Sequence, residues 1–163
     1  MKPILTSSGE FSSAFEKTMK MSKIWFKDYT LEEVNSIFHK FMTGYLRIQA
    51  TEVRDDMLIA CMPVSDKVKQ PFGILHGGAS VVLAESVGSI ASNLIIDPKH
   101  LVGVGMEVNA NHLKSVSEGM LYAYCSPLHI GKKSHVWDIK IKNEKDVLIC
   151  ISRLTVAIIE KPS

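Results

Sequence analysis

The sequence predicts an α+β protein in which a curved antiparallel sheet wraps around one long central helix. Two observations carry that expectation. The segment after His76 holds Val81, Val82, Leu83, Ala84, Val87, Ile90, Ala91, Leu94, Ile95 and Ile96, and is apolar nearly all round. A helix of that kind must be buried on most of its sides. The rest of the chain contains several runs in which apolar and polar residues alternate, the period of half-buried strands. One sheet cannot close over such a helix alone, so an oligomer interface is expected to cover the remainder.

At 163 residues the chain can bury about two thirds of the surface its unfolded form exposes, as one domain. Residues 1–20, "MKPILTSSGEFSSAFEKTMK", are Ser-rich and patternless and read as a leader, an appended or disordered arm. They lack the apolar core of a secretion signal. Residues 21–163 are read as the single folded domain. "YTLEEVNSIFHKFM" opens with a capping box, Thr30 with Glu33, and places Tyr29 and Val34 as a hydrophobic staple. Leu31, Val34, Ile37, Phe38 and Phe41 then keep helical spacing, predicting an amphipathic helix of about three turns. Residues 45–63 read as a hairpin with "RDD" at its turn.

"PFGILHGGASVVLAES" takes a glycine-rich turn into the long helix, which is expected to end near Ile96, before Asp97-Pro98. The period then changes. Val102, Val104, Met106 and Val108 alternate with Gly103, Gly105, Glu107 and Asn109. "MLYAYCS", "SHVWDIKIKN" (with His135, Trp137, Ile139 and Ile141 in alternation) and "VLICISRLTVAII" are further strand-like runs. Five or six strands are predicted.

The formal net charge of +2 is too mild to argue for nucleic acid. Cys61, Cys125 and Cys150 are odd in number and far apart, with no CxxC and no Cys/His cluster. Neither a disulfide framework nor a structural zinc site is predicted, and reduced thiols point to the cytoplasm. No apolar run approaches the roughly 20 residues of a membrane helix, so no membrane insertion is expected. No metal is called for.

The chemistry centres on Glu85, a carboxylate inside the apolar helix. Gly78, Val81, Val82, Glu85, Ser89 and Ser92 fall on one stripe at spacings of three and four. Glu85 either reaches solvent through a gap in the sheet or lines a cleft. In the cleft it would be partly stripped of water, a setting that suits a general base or nucleophile. Gly77 and Gly78 stand at the helix start, where backbone N–H groups lack intrahelical partners and the helix dipole favours developing negative charge. A carbonyl oxygen docked on the Gly77 amide would be polarised. His76 alone reads equally as a histidine of the turn, and Gln70 alone carries no signal. Lys132 and Lys133, after Gly131, read as a solvated hairpin tip or as cations for a phosphate.

Taken in order, "QPFGILHGGASVVLAES", "GVGMEVNANHLKS", "SPLHIGKKSHVWDIKI" and "SRLTVAII" closely resemble the hotdog-fold acyl-CoA thioesterases, from about Ile24 to Ile159. The resemblance is strongest to the bacterial group that serves 1,4-dihydroxy-2-naphthoyl-CoA hydrolysis in menaquinone synthesis and proofreading in enterobactin synthesis. It implies that Glu85 is the catalytic carboxylate and that Gln70 and His76 position thioester and water. It further implies that the Gly77 amide polarises the carbonyl and that Ser89 lies near the attacking water. The acyl pocket would be lined by Val82, Ser86, Ser89 and Ile90. Coenzyme A would be held by Gly105, by His112, Leu113, Lys114 and Ser115, and by His129, Ile130, Gly131, Lys132, Lys133 and Ser134. The chain departs from the family pattern at Lys132 and Ser134, where serine and histidine are common.

The implied reaction hydrolyses an acyl-CoA, with an aromatic acyl group, to a carboxylic acid and free coenzyme A. Coenzyme A is part of the substrate, and no cofactor is expected. The implied assembly is a dimer with active sites across its interface, two dimers commonly forming a tetramer. Two other readings stay open: a hotdog-fold dehydratase or hydratase, and a non-catalytic acyl-CoA sensor. Neither would release thiol.

Overall fold

The computed structural model describes residues 23–161, and the predicted leader lies outside them. Six strands, β1 (Gln49–Val53), β2 (Leu58–Pro63), β3 (Leu101–His112), β4 (Met120–Ile130), β5 (Ser134–Asn143) and β6 (Leu148–Glu160), form one sheet in the order β1-β2-β4-β5-β6-β3. Every neighbouring pair is antiparallel. Three helices accompany it: α1 (Leu31–Phe38), α2 (Phe41–Tyr45) and α3 (Gly77–Ile95). With α3 lying in the curve of the sheet, this is the hotdog fold.

The capping box before α1 forms as the sequence predicts. Glu33 N–H donates to Thr30 Oγ1 (3.2 Å) and Thr30 N–H donates to Glu33 Oε2 (2.8 Å). The helix stops at Phe38, however, a turn short of expectation. Phe41 takes a left-handed φ of +49°, and a Cβ at Gly44 would run into the His39 backbone. The chain therefore doubles back into α2, and Phe41, expected on the buried face, is 93% exposed. The "RDD" turn of the β1–β2 hairpin forms, closed by Arg54 N–H donating to Met57 O (2.8 Å).

Helix α3 sends Leu83, Ala84, Val87, Ala91 and Leu94 into the core, against Leu121, Ala123 and Cys125 of β4, Trp137, Ile139 and Ile141 of β5, and Leu154 and Val156 of β6. The strand residues alternate as a one-sided sheet requires. Ser92, expected on the stripe of Glu85, instead faces the sheet, where its hydroxyl accepts from Trp137 Nε1 (2.7 Å). By length and composition α3 is the one described helix apolar enough to cross a bilayer, but half of that window is buried within the fold. All three cysteines are free and buried, and burial pushes their thiols up, the setting of inert structural cysteines.

The sheet ends differ in length. On β1, Asn35 of α1 accepts from Ala50 N–H (2.8 Å) and donates to Ala50 O (3.0 Å). On β3, Asn93 of α3 accepts from Gly103 N–H (2.9 Å) and donates to Gly103 O (3.1 Å). Gly103 and Gly105 face the helix with no room for side chains. Val104 and Met106 point the other way, 46% and 67% exposed, whereas Val108, beyond the bulge after Gly105, turns back against the core.

Candidate active site

The turn before α3 is built from the backbone of Gln70. Its N–H donates to Ile74 O (2.9 Å) and its carbonyl accepts from Gly73 N–H (2.9 Å). Gly73 takes φ +78°, a conformation that favours glycine. His76 then caps α3: its Nδ1 accepts from Gly78 N–H (2.9 Å). With Nδ1 an acceptor, the neutral ring carries its proton on Nε2 and presents a donor there. The Gly77 amide, at the first helical position, meets no partner among the described residues. A Cβ at 77 would lie 2.8 Å from His112 Nε2, so the end of β3 comes close to the helix start there.

Gln70, Gly77, Ser80 and the stretch from His112 to Ser115 line one cavity of about 270 Å³. That stretch is held by Leu113 and Lys114 N–H groups donating to Ile149 O (2.8 and 3.4 Å). On the other side of the helix start lies a second cavity of about 380 Å³, walled by Met42, Tyr45, Leu46, Val68, Ala79 and Val82, with His76, Lys67 and Lys69 among its polar lining. His76 and Gly77 thus stand between a cavity of mixed lining and a largely apolar one.

Glu85 lies eight residues further on, about 12 Å along the helix. It is half-buried, as are Ser86, Ser89 and Ile90. Ser89 Oγ donates to Glu85 Oε1 (3.4 Å), and a Cβ at position 105 would overlap the Glu85 carboxylate. Gly105, expected at the coenzyme, therefore sits against the candidate catalytic carboxylate, beside a bulge between Gly105 and Glu107.

The loop from His129 to Ser134 forms a tight β4–β5 turn, Gly131 N–H donating to Ser134 O (2.9 Å). Lys132 and Lys133 are exposed at its tip, with His129 and Ile130 exposed on β4. It does not meet the stretch from His112 to Ser115 in this chain. Ser134 is level with Ala157 and so with Val104, whereas His112 is level with Cys150 and Ile141. The two predicted coenzyme segments occupy opposite ends of β3, roughly 26 Å apart. Within one chain the predicted residues therefore form three groups, one at the start of α3, one around Glu85 and one at the β4–β5 turn.

Three polar residues at or near these groups escaped the sequence reading: Ser80, Asn93 and His135. The spacing of Ser80 three residues after Gly77 was a signal for the first, since it shares that face of the helix. Among the described residues no trio of His, Cys, Asp or Glu is placed to hold a metal.

A free amide at a helix N-terminus, a histidine donor beside it and a carboxylate on the same helix are parts that an acyl-transfer site uses. A family model described as the thioesterase superfamily matches residues 72–150. The chain is 50% identical to the 1,4-dihydroxy-2-naphthoyl-CoA hydrolase of Escherichia coli over 83% of its own length and 99% of the relative's. It is 43% identical to the proofreading thioesterase EntH of Cronobacter sakazakii, over 83% and 98%. A crystal structure of a mutant thioesterase from Pseudomonas aeruginosa matches with a TM-score of 0.82 at 41% identity, covering 85% of this chain and 99% of that one. The chain belongs to the thioesterase superfamily, and it is a thioesterase-family enzyme.

Proposed function

We propose that the protein hydrolyses acyl-CoA thioesters, with aromatic acyl groups preferred, at a site completed by a second copy of the chain. The observation that carries this reading is the unpartnered Gly77 amide, set at the positive end of a 19-residue helix between a cavity of mixed lining and a largely apolar one. A thioester carbonyl placed there is polarised by the amide and by the helix dipole. The coenzyme arm then runs past His112 to Ser115, and the acyl group turns toward Val82. The identity to a relative named for 1,4-dihydroxy-2-naphthoyl-CoA supports an aromatic acyl group, as does the apolar lining on the His76 side.

Glu85 supplies the oxygen chemistry, by direct attack or through a water held near Ser89. A C–O bond forms, the C–S bond breaks, and the coenzyme sulfur leaves as a thiolate that takes up a proton. On the direct route water then cleaves the Glu85 anhydride, so either route consumes one water and frees the acid. In one chain Glu85 is too far from Gly77 to do this. Helix α3 and strand β3 run antiparallel, with Gly77 at His112 and Glu85 at Gly105. A two-fold axis near the middle of the free edge of β3 brings the Gly105 end of one chain to the His112 end of the other. Glu85 of the partner subunit then faces Gly77, and Lys132 and Lys133 of the partner subunit approach His112 to Ser115.

The test is free-thiol release from benzoyl-, hydroxybenzoyl-, dihydroxynaphthoyl- and aliphatic CoA thioesters, with wild type and Glu85→Gln side by side. Wild type is expected to turn over an aromatic thioester, and Glu85→Gln to lose at least about a hundredfold. Coenzyme binding without thiol release from either protein would leave a sensor or a dehydratase in its place.

A further inference from the structure

We infer that the Ser80 hydroxyl is a second donor to the substrate's thioester oxygen, acting beside the Gly77 amide. The inference rests on the hydrolytic reading above and adds a residue to it. Ser80 is 1% exposed, and its Oγ is one of two fully buried side-chain polar atoms without a hydrogen-bond partner among the described residues. Helical serines commonly turn their hydroxyl back to the carbonyl four residues earlier. Here that carbonyl, His76 O, already accepts from Ala79 N–H (2.9 Å), and Ser80 leaves it alone. Ser80 is among the residues that wall the cavity with Gln70, Gly77 and His112.

The geometry follows from the helix. Side chains lean toward the helix N-terminus, and positions three apart share a face. The Ser80 hydroxyl therefore overhangs the turn that begins at Gly77, on the side where that amide is free. A buried hydroxyl with no partner is unfavourable in the folded state, so the site keeps a donor free for a ligand. A carbonyl oxygen seated on Gly77 N–H offers a second lone pair, and Ser80 Oγ–H is placed to take it. As negative charge grows on that oxygen, both bonds strengthen.

The experiment compares wild type, Ser80→Ala and Glu85→Gln in two measurements on the full-length protein. The first is steady-state thiol release together with thermal melting. Ser80→Ala is expected to lower kcat by about a hundredfold to a thousandfold, the scale of losing one oxyanion donor, with KM nearly unchanged. Its melting temperature should hold or rise, because alanine removes an unsatisfied group. The second is binding of a ketone analogue of the acyl-CoA, with a methylene in place of sulfur, against free coenzyme A. Ser80→Ala should weaken the ketone about tenfold, leave coenzyme A unaffected, and move the carbonyl carbon-13 resonance upfield relative to wild type. If wild type turns over substrate while Ser80→Ala keeps both kcat and ketone affinity within about twofold, Ser80 is structural and the inference is overturned. If wild type releases no thiol yet binds the ketone through Ser80, the hydrolytic reading fails and the donor stands. If the ketone binds no more tightly than coenzyme A in wild type, the donor falls too.

Discussion

The two edges of the sheet are met by the same device and left in opposite states. On β1 and on β3 alike, an asparagine carboxamide from a helix pairs with both backbone groups of one strand residue, Asn35 with Ala50 and Asn93 with Gly103. β1 is five residues long, so one carboxamide with α1 beside it is enough to end the sheet. β3 is twelve residues long, and Asn93 occupies only the end near Leu101. Beyond it the strand presents unpaired backbone and the exposed side chains of Val104 and Met106. Long apolar edges invite another strand. This chain closes one edge and leaves the other open, on the strand where the proposed second copy would meet the Glu85 end of the site.

Breaking the open edge should have the largest effect. Val104→Lys with Met106→Lys places two charges on exposed positions of β3. Light scattering should then report monomers, and thiol release should fall at least about a hundredfold, as with loss of the catalytic carboxylate. Glu52→Lys, an exposed position on β1, should change neither. A doubly charged β3 that stays dimeric and active would sink the contrast.

The two asparagines sharpen it next. Asn35→Ala strands the N–H and carbonyl of Ala50, a residue 4% exposed, and should cost about 1–3 kcal/mol in denaturant unfolding with little change in kcat. Asn93→Ala should show the reverse balance. It frees Gly103, two residues from the glycine on which the Glu85 carboxylate rests, and should lower kcat more than it lowers stability. Equal profiles for the two variants would mean that both are simple edge caps.

The smallest effect concerns His135, level with Gly105 through Val156. Burial, and then the nearby His129, hold its proton affinity below the ordinary value, and its Nδ1 has no partner among the described residues. The unfolded chain therefore binds a proton at this site before the folded one does. Stability should be flat above about pH 6.5 and fall as pH drops below it. In His135→Gln that acid limb should be shallower, as read by melting temperature between about pH 7 and pH 5. Parallel slopes in the two proteins would assign the limb to other groups.

Local physics wrote much of this fold into the sequence. The Thr30–Glu33 box, the "RDD" turn, the limits of α3 and the alternation of β5 each depend on residues a few positions apart, and each formed where expected. What alternation cannot say is which face points inward. In β3 Gly103 and Gly105 turn in while Val104 and Met106 turn out, because α3 needs the space beside Glu85, and the bulge that follows brings Val108 back against the core. Spacing likewise put Ser92 with Glu85, whereas Trp137, 45 residues away, claims its hydroxyl. The candidate site was legible as a set of residues, but its division into three groups was not. That division comes from strand register, which brings distant parts of the chain level with one another.

One consequence of α3 concerns how such an enzyme can change over generations. The positions that hold the fold together, Leu83, Ala84, Val87, Ala91 and Leu94, are fully enclosed, while Val82, Ser86 and Ile90 are only half-buried on the same helix. In the proposed site, selection for a new acyl group would act on the second set while the first stays fixed. Single replacements there would then change the substrate without disturbing the folded core.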